Sequence, residues 1–263
     1  MKTLKFLRSG LVILGHAEVR ACRALGRLVM FMANVFIIRP PFYSHVWWEQ
    51  WLQWGLGCAF IVSITSIFTG LVLTLQIHGN FAAWGGQQAT PSLVVWALAQ
   101  ELSPVLTGIM VAGRAGSALA AQLSSMKISQ HFDVLAVMNI PLRSYLLTPS
   151  LWMAGLLTPV LVGFSTVLGI FSSYSLWVGY LHENGHQFLS IAWNAWQDSQ
   201  WLYGWIKGSI FGIIVALMAQ TQGYFLRTLS IEGMRRSMTL TVVGASALIL
   251  IVNYFLSAWL FRS

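Results

Sequence analysis

The sequence predicts an all-α polytopic membrane protein with an N-terminal amphipathic interfacial helix, five transmembrane helices and a cytoplasmic coupling helix. Two observations predict this class. Hydrophobic residues make up 57% of the 263 residues and charged residues only 8%, whereas soluble domains carry roughly 25% charged residues. The apolar residues also occur in long blocks, each at least about 20 residues, which is the length that a helix needs to cross a bilayer.

Residues 1–40 are predicted to form the interfacial helix, and 1–263 a single domain. Leucines form an apolar stripe along this segment, and a basic stripe consists of His16, Arg20, Arg23 and Arg27. Such a helix lies in the plane of the headgroups; an ordinary solvated charged face is the alternative. Pro40 and Pro41 end it, because proline cannot continue the hydrogen-bond ladder of a helix.

Five transmembrane spans are predicted from the apolar blocks, and they lie at 54–78, 92–113, 145–171, 202–225 and 238–261. The loops after the first and third spans contain no lysine or arginine, whereas the other two loops and the N-terminal segment are basic. Because basic loops stay on the cytoplasmic side, the N-terminus is expected in the cytoplasm and the C-terminus on the outer side. Pro159 is expected to kink the third span.

Glu101 is the most informative polar residue. It lies about ten residues into the second span, or roughly 15 Å along the helix, which is near the middle of the membrane. A carboxylate there costs several kcal/mol unless it is neutralised, paired or hydrated, so Glu101 is a functional candidate. The alternative is a protonated glutamate that is hydrogen-bonded inside a helix bundle. Pro104 lacks an N–H and frees a backbone carbonyl nearby.

Lys207 and Asn253 lie at comparable depth in the fourth and fifth spans. Three spans thus each carry a polar group in the outer half of the membrane, which is expected if they line one hydrated cavity. For Lys207 the alternative is a side chain that snorkels to the headgroups. Gln100, beside Glu101, completes the set of candidate polar residues.

Small residues at intervals of four predict close helix packing. The candidate packing residues are Gly204, Gly208, Gly212, Gly113 and Gly116. The pattern fits packing within one subunit as well as a contact between two copies.

Residues 124–141 are predicted to form a short amphipathic coupling helix, closed by Pro141. Ile128, Phe132 and Leu135 share one face, which is suited to a groove on a cytoplasmic partner. The candidate coupling residues are Lys127, Ile128, His131, Phe132, Asp133 and Leu135.

One motif suggests an enzyme instead. His182-Glu183-Asn184-Gly185-His186 matches H-E-x-x-H, in which two helical histidines bind zinc. An intramembrane zinc metalloprotease is therefore the alternative function. Gly185 disfavours the helix that the motif requires, so no residue is assigned to a metal. The motif G-x-x-x-x-G-K-S/T is missing from the sequence, so no ATP site is predicted in this chain.

Residues 98–150 resemble the MlaE-type permeases, the Mce-associated ABC permeases of bacterial phospholipid transport. The resemblance rests on E-L-S-P-V-L-T from Glu101, on V-A-G-R-A-G-S-A from Val111, and on the segment from Met126 to Pro141. The family often has Arg at the position of Gln100, Gly at Ser103 and Asp at Asn253. A charged network in relatives is therefore expected to be reduced here to Glu101 and Lys207.

The resemblance implies a homodimer in the bacterial inner membrane that holds phospholipid in an outward-facing cavity and moves it between the inner and outer membranes. It also implies three protein partners: a cytoplasmic ABC ATPase that binds ATP and Mg²⁺ and docks on 124–141, a hexameric periplasmic Mce-domain protein, and a small cytoplasmic STAS-type regulator. Nucleic acid is not an expected partner. A passive channel or scaffold is a further alternative.

Overall fold

The computed structural model describes most of the chain. The described residues are 44–82, 85–141, 143–197, 201–226 and 228–260. The predicted interfacial helix at 1–40 lies outside them.

Seven helices and no strand occur in this part of the chain. In chain order they are α1 (44–82), α2 (Gln87–Ile128), α3 (His131–Val137), α4 (143–179), α5 (Gly185–Gln197), α6 (Trp201–Tyr224) and α7 (Ile231–Leu260). Five of them are long and apolar enough to cross a membrane, namely α1, α2, α4, α6 and α7. The all-α polytopic fold class is thus confirmed.

Two predicted boundaries need correction. The helix of the second span does not end near residue 113 but continues to Ile128, and the segment 124–141 is not one helix. Gln130 adopts a left-handed conformation with φ of 58° and separates α2 from α3, while Asn139, with φ of 55°, follows the end of α3. A residue in this conformation stops the helical ladder, so α3 is a separate helix.

Several membrane-crossing helices contain π-helical turns. In α2 these turns occupy Leu98–Leu102 and Ala112–Gly116, and in α1 one occupies Leu52–Leu56. A π turn leaves some backbone carbonyls without their usual partners and is frequent at functional sites. The first of the two π-helical turns in α2, Leu98–Leu102, contains Glu101.

Helix α4 packs closely against α1 through small and hydroxyl side chains. The Oγ atoms of Ser66 and Ser165 lie 2.7 Å apart, and the Ser173 hydroxyl donates to the carbonyl of Gly70 at 3.1 Å. A Cβ on Gly70 would collide with the Gly169 carbonyl. Small residues and interhelical hydrogen bonds replace the hydrophobic effect as the source of helix association in lipid.

The predicted glycine stripe of α6 makes its contacts within the chain. Gly204 abuts the Ala99 carbonyl of α2, and Gly208 and Gly212 abut α4. In α2, Gly116 meets Val215 of α6, but a Cβ added at Gly113 would point into open space in the described chain. The α6 glycines therefore position α6 against α2 and α4.

Two helices are left largely uncovered. Only 22% of the most apolar stretch of α1 and 17% of that of α7 is buried, against 56% in α2. These two helices present apolar faces to whatever surrounds the chain.

Candidate functional site

A cluster of polar side chains joins α2, α6 and α7 within the membrane-crossing bundle. Glu101 Oε1 accepts hydrogen bonds from Lys207 Nζ at 2.7 Å and from Ser257 Oγ at 2.7 Å. Glu101 Oε2 accepts a bond from Asn253 Nδ2 at 3.0 Å. One carboxylate therefore holds three donors from two other helices.

Lys207 is enclosed by this cluster, with only 2% of its side chain exposed. Besides Glu101, its ammonium group donates to the Gln100 carbonyl at 3.1 Å and to Ser257 Oγ at 2.9 Å. An ammonium has three protons, so each has a partner. The side chain is turned into the bundle and does not snorkel to the headgroups.

Local sequence places the backbone acceptor of Lys207. Pro104 has no N–H, so the carbonyl of Gln100, four residues earlier, loses the donor that an α-helix would supply. Lys207 Nζ donates a hydrogen bond to this carbonyl instead. Gly204 lies one helical turn before Lys207 and abuts the Ala99 carbonyl, and this close approach brings the lysine within reach of α2.

The cluster is open on its glutamate side. About a third of the Glu101 side chain is exposed (30%), whereas the lysine is closed off. Because a carboxylate only accepts hydrogen bonds, the Asn253 amide must present its NH₂ group to Glu101. Asn253 Oδ1 is then left buried without a partner in the described chain. The partly exposed Glu101 side chain is thus the part of the site that a ligand or water can reach.

The structure brings together most of the predicted polar residues. Glu101, Lys207 and Asn253 are in contact, and Gln100 contributes its backbone carbonyl rather than its side chain. Ser257 was missed, although its position four residues after Asn253 puts it on the same helix face. The charged members of the network are Glu101 and Lys207, as expected, and two neutral residues of α7 complete it.

The predicted coupling segment holds the far end of α6. Lys127 Nζ donates to the carbonyls of Tyr224 at 2.6 Å and Leu226 at 3.1 Å. The ring of Phe132 in α3 stacks on that of Tyr224, with 5.9 Å between centroids. A cation near the last carbonyls of a helix is favourable.

The face of α3 that was expected to meet a partner is turned the other way. Phe132 and Leu135 are half-buried, and Phe132 packs against the hydrophobic core of the bundle. The exposed apolar residues are Val134, Val137 and Met138. Of the other candidates, Ile128 is half-buried, and His131 and Asp133 are exposed. The exposed apolar surface of α3 is therefore its Val134–Val137–Met138 face.

The H-E-x-x-H motif does not have the geometry of a zinc site. Residues 182–184 precede α5, which begins at Gly185, and His182 has φ of 53°. The two histidines therefore do not lie one turn apart on a helix. Within the described ranges, no three His, Cys, Asp or Glu side chains are grouped to hold a metal.

A model of the permease MlaE family matches residues 47–259, a stretch that includes every residue of the polar cluster. The chain belongs to the MlaE permease family. The MlaE-type resemblance of the central segment is thereby confirmed, and the chain is a multi-pass permease rather than a zinc metalloprotease.

Relatives of this MlaE-family permease match along most of its length. A probable ABC transporter permease protein of Rickettsia bellii is 31% identical, over 95% of this chain and 96% of its own. The intermembrane phospholipid transport system permease protein MlaE of Haemophilus influenzae is 30% identical, over 94% and 96%. The chloroplastic protein trigalactosyldiacylglycerol 1 of Arabidopsis thaliana is 30% identical, over 76% of this chain and 57% of its own.

Proposed function

We propose that this chain is the permease subunit of an ABC transporter that moves phospholipid between the inner and outer membranes of a bacterium. The observation that carries the proposal is the half-open Glu101 cluster at membrane depth in an MlaE-family chain. The name of the Haemophilus relative, an intermembrane phospholipid transport permease, supports the choice of cargo.

A homodimer in the inner membrane would place the cavity between two copies. The faces of α1 and α7 are apolar and little buried, so they suit acyl chains on one side and a second copy on the other. Within such a cavity, the partly exposed Glu101 offers an acceptor to headgroup donors such as an ammonium or a glycerol hydroxyl. Lys207 holds the carboxylate in place through its hydrogen bond at 2.7 Å.

A separate cytoplasmic ATPase, which binds ATP and Mg²⁺, would supply the energy. It would dock on the Val134–Val137–Met138 face of α3, and its motion would reach α6 through Lys127 and through the Phe132–Tyr224 stack. Lys207 lies on the same α6, seventeen residues before Tyr224, or about 25 Å along the helix. A rigid α6 therefore connects the motor end to the Glu101 cluster.

The basic loops support a cytoplasmic N-terminus and a periplasmic C-terminus. With this orientation the opposite side of the permease would meet a hexameric Mce-domain protein in the periplasm, and a small STAS-type regulator would bind on the cytoplasmic side with the ATPase.

Reconstitution tests this function. The chain is purified with its ATPase and Mce-domain partner, inserted into vesicles that carry a fluorescent phospholipid, and supplied with ATP or a non-hydrolysable analogue. We expect transfer of the lipid to acceptor vesicles with ATP and not with the analogue. Equal transfer under both conditions would support a passive channel instead.

A further inference from the structure

A polar pocket lies far from the Glu101 cluster, where α6 ends and α7 begins. Its volume is about 370 Å³. Its wall combines polar and apolar groups, and the residues that matter most are Gly233, Arg236, Ser237 and Leu240 of α7. We propose that this pocket binds the phosphate group of a phospholipid headgroup.

The first observation is an unused hydroxyl group. The Ser237 side chain is only 3% exposed, and its Oγ atom has no hydrogen-bond partner among the described residues. Nearby hydroxyls of α7 behave differently, since Thr239 donates to the Arg235 carbonyl at 3.1 Å and Thr241 to the Ser237 carbonyl at 2.8 Å. A buried polar group without a partner is costly, so a ligand in the pocket would satisfy this one.

The second observation is a free cation in the same wall. Arg236 is exposed, and within the described part of the chain it makes no ion pair within 4 Å. Glu232 lies one turn earlier on α7, but it forms no ion pair with Arg236. The guanidinium fork matches the spacing of phosphate oxygens. The positive end of the α7 dipole, two turns away at most, adds attraction for an anion.

The backbone of the turn is fixed around the pocket. The Gly233 N–H donates a hydrogen bond to the Ser230 hydroxyl oxygen at 3.2 Å. A Cβ on Gly233 would collide with the Thr228 carbonyl, so the start of α7 lies directly against the turn. Arg236 and Ser237 are therefore presented by a closely packed helix start rather than by a loose loop.

An apolar surface continues from the pocket, which favours a lipid over free phosphate. Leu240 in the wall and Val243 beyond it are both exposed on α7, at spacings of four and seven residues from Arg236, and these spacings place them on one helix face. Acyl chains would lie along this face. Asn253 is seventeen residues from Arg236, or about 25 Å, so the pocket is separate from the Glu101 cluster.

This inference depends on the proposed function in one respect: the proposed orientation places the pocket at the cytoplasmic leaflet of the membrane. Binding itself does not require the ATPase. The test therefore uses the purified, delipidated full chain in detergent, and native mass spectrometry measures its apparent Kd for phosphatidylglycerol.

The two pocket residues and a matched neighbour are compared. Arg236→Gln is expected to weaken binding about tenfold or more, as for the loss of a charge-assisted hydrogen bond, and Ser237→Ala about threefold. Arg235→Gln removes the same charge from the same turn but lies outside the pocket, and binding should change less than about twofold, as for an exposed and screened charge. Equal losses in Arg235→Gln and Arg236→Gln would overturn the pocket in favour of a general basic surface.

Inorganic phosphate distinguishes the two sources of a phosphate group. We expect phosphate at the lipid concentration to leave phosphatidylglycerol bound, and we expect Leu240→Ser to weaken lipid binding severalfold. Displacement of the lipid by an equal concentration of phosphate, with no effect of Leu240→Ser, would overturn the headgroup assignment. A chain that binds lipid through Arg236 but transfers none with ATP would contradict the proposed function and support this site.

Discussion

Glu101 and Lys207 show how a membrane protein accommodates charged side chains within its membrane-crossing helices. Neither residue is stable in hydrocarbon alone, because a buried charge without a partner is strongly unfavourable. Here each proton of the ammonium and both carboxylate oxygens have partners. The neutral donors Asn253 and Ser257 stabilise the charged form of Glu101 without adding a further charge.

A double-mutant cycle measures this coupling. Lys207→Met leaves a carboxylate with only neutral donors, and Glu101→Gln leaves an ammonium without its anion, so each single change should lower the thermal stability of the purified chain. The double variant should lose less than the sum, with a coupling energy of about 1–3 kcal/mol. Additive losses would show that the two groups do not stabilise one another.

Depth along the predicted spans was enough to find Glu101, Lys207 and Asn253. It did not identify Ser257, because serine and threonine in membrane helices usually bond to their own backbone, as Ser63 does to the Ala59 carbonyl at 2.6 Å. Nor did the sequence show that Gln100 would act through its carbonyl, since that depends on where α6 approaches α2.

Helix α6 can approach α2 and α4 closely because its contact residues are glycines, which have no side chain. Gly204→Ala would drive a Cβ into the Ala99 carbonyl, which is backbone and cannot move aside. We expect a loss of about 1–3 kcal/mol in stability, as for overpacking in a core, together with a weaker Glu101–Lys207 contact.

Gly79→Ala is the matched control for that substitution. Gly79 is also helical, but a Cβ there would meet no atom within 4 Å. Since alanine favours a helix over glycine by roughly 0.5–1 kcal/mol, this variant should be unchanged or slightly more stable by thermal unfolding. A similar loss in both variants would contradict the role of Gly204 in helix approach.

The exposed and half-buried faces of α3 are proposed to have different roles, and single substitutions can distinguish these roles. Val137, whose side chain is 87% exposed, belongs to the docking face, so Val137→Glu should abolish co-purification of the ATPase. Phe132→Ala removes the stack on Tyr224, so it should keep the ATPase bound but lower ATP-dependent lipid transfer severalfold. If Phe132→Ala abolishes ATPase binding and Val137→Glu does not, then Phe132 itself contacts the ATPase, as the sequence analysis expected.

The sequence predicted an amphipathic segment near 124–141 but not its division. Gln130 and Asn139 carry the left-handed conformations that end α2 and α3, and neither is a glycine, which is the residue that usually marks such a stop. The sequence also did not show which apolar face of α3 packs on the bundle, because the apolar residues of α3 occur on both sides.

For the whole molecule, hydropathy predicted the five membrane-crossing helices, since the bilayer demands long apolar helices wherever the chain crosses it. Which faces pack together was not predictable in the same way, because in lipid both packed and exposed faces are apolar. The glycine stripe of α6 was open to two interpretations for this reason, and only the three-dimensional arrangement assigns it to α2 and α4.

The uncovered faces of α1 and α7 lead to a prediction about assembly. In a Cys22→Ser background, Phe255→Cys on the exposed face of α7 should form a cross-link between two copies under mild oxidation. Phe164→Cys, on the exposed face of α4, should not. Cross-linking at position 164 and not at 255 would place the dimer contact on the wrong side for a cavity lined by Glu101.

The transfer activity of Glu101 variants tests the central claim most directly. Complexes that carry Glu101→Gln or Glu101→Ala, assembled with the ATPase and the Mce-domain partner, are compared with wild type for ATP-dependent phospholipid transfer between vesicles. We expect at least about a tenfold lower rate, which corresponds to about 1.4 kcal/mol, with the assembly intact by size-exclusion chromatography. Transfer at the wild-type rate by both variants would show that the Glu101 cluster takes no part in moving the lipid.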